Sequence, residues 1–420
     1  MKKKLDVLII GAGNRGTGFA NSVLNFKIPL KIKAVAEPIS EKRKKYSKDY
    51  KISKKYLFET GEQALNKNLP FDLVYIATPD RTHVKLALQA LDLGYNLILE
   101  KPMATNAEDC MKIIKSQEKT GKTLSIMHVL RYAPFFQKLK NIIDSRELGK
   151  LLSVDLTERI GYWHFAHSYV RGNWRQESES GPVILTKSCH DLDIISWLVN
   201  SKVKNLFSKG SLQFFKKENS PSGAKEKCLD CPVKNCIYDA KEFYLTPKKE
   251  EWPYNVISTD FSKKARINAL RNTSYGNCVW KSDNDVCDTQ DVSISFENGA
   301  QADFRLRFHG TETTRRINLV FEKGEINGDL QSGNILKTNY KGDREKDEVE
   351  KIEIKFKGGH GGGDSLLIKN ITDALFEANP EKNLTSAEQS LQSHLLAFAS
   401  EESRKTGKVI DFQKYLDSIR

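Results

Sequence analysis

The chain has 420 residues, too many for one ordinary hydrophobic core, so two domains are expected. With 39% hydrophobic and 29% charged residues it has the balance of a globular protein, which excludes wholesale disorder. The net charge of +13 comes from short clusters such as Lys42-Arg43-Lys44-Lys45 and Lys248-Lys249, set between acidic neighbours, and no basic stripe interleaved with aromatics marks a nucleic-acid binder.

That charge reads as a lysine-rich solvated surface or as steering for an anionic substrate. A membrane is not an expected partner, because no apolar run approaches the roughly 18 residues that cross a bilayer. Met1-Lys2-Lys3-Lys4 has the charge of a signal peptide, but only Val7 to Ile10 follow before glycines intervene. That is too short for the apolar region of such a signal, so a cytoplasmic location is expected. An odd count of seven cysteines argues against a disulfide framework.

Along the chain, Leu5 to Ile10 reads as a buried strand, and Phe19, Ala20, Val23 and Leu24 follow at helical spacing. Further strands are expected at Ile32–Ala36, Leu73–Ala77, Leu97–Leu99 and Leu124–Met127, with helix spacing over Val84–Leu93. This alternation predicts a doubly wound parallel sheet with helices on both faces, over residues 1–131. Beyond Leu148-Gly149-Lys150 the texture changes. Val292–Phe296 and Ala302–Phe308 alternate around an Asn298-Gly299 turn, and Ile317–Phe321 continues the pattern. Residues 132–420 therefore read as an α+β domain with a mostly antiparallel sheet, closed by a helix from Ser386 to Arg404. Within it, about 210–281 is polar and poorly periodic and reads as an insertion without its own core.

Gly11-Ala12-Gly13-Asn14-Arg15-Gly16 follows the first strand and opens the first helix. In that context the first glycine allows a tight turn, the second lets backbone approach a pyrophosphate, and the third permits close strand–helix packing. The helix N-terminus then faces the phosphates. Glu37 ends the second strand, where a carboxylate accepts from ribose hydroxyls and repels the extra phosphate of NADP. The expected cofactor is NAD, with NADP the alternative because Lys42 and Arg43 lie near.

Two more stretches add specificity: Ala77-Thr78-Pro79 with His83, and Glu100-Lys101-Pro102, each at the end of a strand. Together with the glycine loop they resemble the Gfo/Idh/MocA family of oxidoreductases, over nearly the whole chain. The runs His167 to Arg175 and Lys187-Ser188-Cys189-His190-Asp191 resemble one cysteine-bearing subgroup. The resemblance implies cofactor contacts from Gly11, Gly13, Asn14, Arg15, Gly16, Glu37, Thr78, Pro79, His83, Glu100 and Lys101. It places Lys101 beside the nicotinamide and the reacting hydroxyl, where an ammonium stabilises developing alkoxide. It also implies a homo-oligomer joined through the open face of the second sheet.

The family commonly carries an Asp and a His one helical turn apart. Here His190 holds the histidine position, but the aspartate position is Thr186, with Lys187 and Asp191 as the nearby replacements. His190 is the acid/base candidate and Lys187 a substrate or proton-relay group. Arg131, Tyr132, His164, Trp174, Arg175, Asp191 and His360 are the substrate-binding candidates, of a type that stacks on sugar rings or binds hydroxyls and carboxylates. His360, in Gly358-Gly359-His360-Gly361-Gly362-Gly363-Asp364, lies either against a ligand or on a hinge.

Three readings of function follow: an NAD-dependent dehydrogenase of a sugar, sugar derivative or cyclitol, an NAD-dependent glycosidase working by transient oxidation and elimination, or a non-enzymatic NAD sensor. A separate expectation comes from spacing. Cys228-x2-Cys231, then Cys236, then Cys278 is a ligand set for a structural zinc that would staple the insertion. Cys287 or a histidine is the alternative fourth ligand, an iron–sulfur cluster the alternative group, and chance the alternative to both.

Overall fold

The computed structural model describes residues 4–246, 251–379 and 382–419. Met1, Lys2 and Lys3 of the basic start and the Lys248-Lys249 cluster lie outside them.

Leu5–Ile10 (β1) is apolar almost throughout because both faces of its sheet are covered. Leu8 and Ile10 enter one core, Val7 and Ile9 the other. Its partners are Leu30–Ala36 (β2), Leu57–Phe58 (β3), Leu73–Ile76 (β4), Asn96–Leu99 (β5) and Leu124–Ile126 (β6). All six pair in parallel in the order β3-β2-β1-β4-β5-β6, which puts the loops after β1 and β4 side by side at the carboxyl edge. The first helix, Asn14–Asn25, buries Gly16, Phe19, Ala20 and Val23, whereas Leu24, expected on that face, is exposed. The chain later returns to this layer: Leu367, Ile368 and Ile371 of the helix Gly363–Phe376 join the core of Val7 and Ile9.

The second sheet has nine strands: Leu151–Gly161 (β7), Val203–Ser211 (β8), Thr289–Phe296 (β9), Gln301–Gly310 (β10), Thr314–Phe321 (β11), Gly324–Asp329 (β12), Asn334–Asn339 (β13), Glu348–Glu353 (β14) and Ile410–Asp411 (β15). Their order is β14-β13-β12-β11-β7-β10-β9-β8-β15, antiparallel except where β7 meets β10. The Asn298-Gly299 turn closes the β9–β10 hairpin, with Gly299 at φ +87° where a side chain would be strained. Val292, Ile294 and Phe304 face the core under the helices Cys189–Val199 and Ala387–Thr406, and the other face carries ion pairs such as Arg305–Asp155 at 3.2 Å.

The insertion departs from expectation. It has a small core of its own, in which Cys228, Ala240, Tyr244, Ile257, Ala269 and Leu270 pack together. The helices Ala240–Leu245 and Lys263–Asn272 supply most of it, too short to show a period in the sequence. Among the described residues no helix is long and apolar enough to cross a membrane.

Candidate active site

The glycine loop has the shape its spacing implies. A Cβ on Gly11 would stand 2.4 Å from the Ala77 carbonyl oxygen, and one on Gly16 2.0 Å from that of Gly11. At Gly13 it would meet nothing within 4 Å, so this glycine leaves open the face that a diphosphate approaches. Glu37 stands at the adjacent strand end, its Oε2 accepting from the Ala12 N–H at 2.8 Å and its Oε1 from the Ile39 N–H at 3.0 Å. Arg43 donates to the Glu37 carbonyl and to Glu59 at 3.1 Å. These residues fit a dinucleotide whose ribose hydroxyls replace or join the backbone donors on Glu37. Asn14 is exposed at the loop's end and accepts from Asn255 of the insertion at 3.0 Å. Thr78 and Pro79 border the same edge after β4.

Lys101 follows β5, and its ammonium donates across the cleft to the Thr186 carbonyl. Thr186 ends the short helix Val183–Thr186, and a new helix starts at Cys189, so Thr186 and His190 do not share one continuous helix. His190 lies on the cleft floor, buried, with its Nδ1 lacking a hydrogen-bond partner among the described residues. Burial holds its pKa well below the ordinary value, and the charges of Lys101, His128, His360 and Arg315 push the same way. The imidazole is therefore neutral and able to accept a hydrogen bond, while the same surroundings disfavour its protonated form.

Lys187 is half-buried beside it, 3.2 Å from Glu158. Its pKa is lowered by burial first, and by Arg315 and Lys101, against the pull of Glu158. His164, half-buried, meets Thr313 Oγ1 at 3.1 Å and is held neutral by burial and then by Lys187. His360 is exposed; its ring lies 5.8 Å from that of His190 and its Nδ1 2.8 Å from Asp364. Lys101, Lys187, His164, His190 and His360 are therefore brought to one cleft.

Other candidates are already occupied by partners inside the fold. Arg131 is buried and locked bidentately onto Asp193 at 2.7 and 2.8 Å, and Tyr132 hydrogen-bonds Asn370 at 3.0 Å. Both join the C-terminal segment to the core and offer no free polar group to substrate. Trp174 donates to Asp80 at 2.9 Å, and Arg175 holds Asp283 at 2.7 Å on the insertion's rim. Asp191 is fully buried with both oxygens on Arg315, at 2.9 and 3.1 Å. His83 is fully buried between the carbonyls of Pro102 and Thr78, at 2.8 and 3.0 Å, so it ties two loops together. Glu100 is taken up by Arg15 and the Tyr75 hydroxyl, both at 2.6 Å, and Arg15 reaches on to Asp364 at 2.9 Å. That chain of contacts frames the cofactor cleft.

Two buried charges were missed by sequence reasoning. Glu158 on β7 accepts from Arg315 at 2.6 Å and Ser188 at 2.9 Å, directly beneath Lys187. Arg315 on β11 closes the network with Asp191. Both stand on the inward parity of alternating strands, and a charge at such a position was the available signal.

Comparison with known proteins agrees with this architecture. Residues 5–128 match the profile described as "Oxidoreductase family, NAD-binding Rossmann fold", and residues 140–412 match that family's "C-terminal alpha/beta domain". The chain belongs to the Gfo/Idh/MocA oxidoreductase family. It is similar to YteT of Bacillus subtilis, 25% identical over 313 residues, spanning 71% of this chain and 72% of that protein. It is also similar to inositol 2-dehydrogenase of Salmonella typhimurium, 27% identical over 199 residues, or 47% of this chain and only 55% of that enzyme. Among solved structures, levoglucosan dehydrogenase in complex with NADH superposes with a TM-score of 0.74 at 16% identity, over 97% of this chain and 99% of that one. As a Gfo/Idh/MocA member the chain is an NAD-binding oxidoreductase with the Rossmann and α/β halves expected from its sequence.

Proposed function

We propose that this oxidoreductase is a dehydrogenase of a secondary hydroxyl on a sugar, sugar derivative or cyclitol, with Lys101 and His190 at the reacting carbinol. The observation that carries this reading is the convergence on one cleft of the Lys101 ammonium, which reaches the Thr186 carbonyl, and the His190 imidazole, whose ring lies 5.8 Å from that of His360. Bound NAD supplies the hydride acceptor. Lys101 donates a hydrogen bond to the substrate oxygen and stabilises its developing negative charge. His190 is the group that takes the hydroxyl proton. Lys187, His164 and His360 are polar groups at the mouth suited to further hydroxyls. Glu158 holds Lys187 in place and stands in for the carboxylate missing at Thr186. The names of the relatives, inositol 2-dehydrogenase and levoglucosan dehydrogenase, support a polyhydroxylated substrate.

Incubation with NAD and a panel of sugars, cyclitols and aryl glycosides tests the reading by following NADH absorbance and released aglycone together. Net NADH on a sugar or cyclitol is expected. Aglycone without net NADH would assign the cleft to an eliminating glycosidase instead, and neither signal would leave a cofactor-binding sensor.

Cofactor choice is tested separately. If Glu37 reads the ribose, Glu37→Ala weakens NAD binding and narrows the preference over NADP, as measured by titration calorimetry with both cofactors. An unchanged ratio would move selectivity elsewhere.

A further inference from the structure

We propose that Cys228, Cys231, Cys236 and Cys278 hold one zinc ion in a closed, structural site inside the insertion. All four line a single cavity with room for a guest of ≈ 20 Å³, about the space of one water molecule. The backbone brings them there from two directions. A turn closed by Cys231 N–H to the Cys228 carbonyl at 3.3 Å carries the first two, and a second turn closed by Lys281 N–H to the Cys278 carbonyl at 3.1 Å carries the fourth. An isolated antiparallel bridge between Lys227 and Asn277 sets these turns against each other. Cys236 precedes a third turn, closed by the Asp239 N–H at 3.0 Å. Paired short turns that each present a thiol to a common point are what a tetrahedral thiolate site needs.

Arg171 supplies an independent reason. It enters this cluster from the second domain, is 2% exposed, and donates to the carbonyls of Asn277 and Tyr238, both at 2.7 Å. Its remaining contact is with Cys228 Sγ at 3.4 Å. Among the described residues no carboxylate forms an ion pair with it: Asp239, which lines the same cavity, is taken up by the Lys241 N–H at 2.8 Å and the Lys241 ammonium at 3.5 Å. A buried guanidinium without an anion is costly, and neutral thiols do not offset it. Four thiols that bind Zn²⁺ release four protons to solvent and leave a centre of net charge −2, which is the counter-ion Arg171 lacks. Apolar packing accounts for the burial of Cys228 and Cys278, but not for a cation placed against them.

Among the described residues no three His, Cys, Asp or Glu side chains stand at metal-ligand spacing as the chain is folded here. Binding therefore draws the four sulfurs inward to about 2.3 Å from the ion. With all four positions filled by thiolate, none remains for water, so the ion has no catalytic role.

The test uses the full-length protein purified without chelator or an affinity metal, and it reads metal content, so it stands whether or not a substrate is found. Elemental analysis is expected to give about one zinc per chain, released as p-hydroxymercuribenzoate consumes the thiols, with a zinc-sensitive dye as the monitor. Cys231→Ser is expected to lose the ion. Arg171→Met keeps every ligand but should weaken zinc roughly 10-fold or more in competition with a chelator, the scale of an outer-shell hydrogen bond. If Cys231→Ser fails to fold, wild-type content and mercurial release still decide. Less than about a tenth of an equivalent of zinc in the wild type, iron with matching sulfide, or a disulfide among the four on mass spectrometry of alkylated protein would each overturn the proposal.

Discussion

Replacement of Lys101 by alanine is expected to lower turnover by about 10² to 10³, or roughly 3 to 4 kcal/mol of transition-state stabilisation, with NAD affinity nearly unchanged. The split follows from where the side chain points. Lys101 leaves the end of β5 and donates across the cleft to the Thr186 carbonyl, where its charge acts on His190. Its loss removes a charged donor from the reacting oxygen and touches no group assigned to the diphosphate or ribose. Steady-state kinetics on the substrate found in the panel, paired with NAD titration calorimetry, separates the two effects. Near-wild-type turnover removes Lys101 from the mechanism. An equal loss in cofactor affinity would make it a cofactor ligand first.

The cofactor half was legible because its signals are local. Gly11, Gly13, Gly16 and Glu37 act through a turn and a strand end, and the strand β1 before them is apolar enough to mark itself. The candidate substrate cleft was legible only as far as motifs reach, to Lys101, Lys187 and His190, which the fold brings together. Arg131, Trp174 and Arg175 show the limit. Their chemistry suits a ligand and an internal clamp equally, and only the positions of Asp193, Asp80 and Asp283, brought in from elsewhere in the chain, make them clamps. Glu158 and Arg315 were hidden for the same reason in reverse. Each stands at an inward position of its own strand, but only the register of β7 against β11, which sets Arg315 opposite Glu158, shows what neutralises it. The insertion's core was invisible because Tyr244 and Leu270, fully buried, lie on short helices with no repeating pattern.

Loss of Arg315 is expected to be the most damaging single change to the frame beneath the cleft. Its guanidinium, 5% exposed, satisfies Asp191 with two contacts and Glu158 with one, and both carboxylates are fully buried. Burial pushes Asp191 upward in pKa, and Arg315 is the main force against that rise. Burial also pushes Glu158 up, but there Arg315 and Lys187 prevail and hold it below its usual value. Arg315→Met keeps most of the volume and removes the charge, which strands Asp191 and leaves Glu158 to Lys187 and Ser188 alone, and should cost about 3–5 kcal/mol. The pH dependence has a definite sign. Without Arg315 both carboxyls rise and hold protons in the folded state that the unfolded chain releases, so stability falls as pH increases above the ordinary carboxylate range. Thermal unfolding followed by circular dichroism should therefore show a larger deficit against wild type at pH 8 than at pH 6. Arg315→Met combined with Asp191→Asn should recover part of it by removing one stranded charge. A deficit that shrinks toward pH 8, or a melting temperature equal to wild type at both, would mean that the two carboxylates do not depend on Arg315 for their charge.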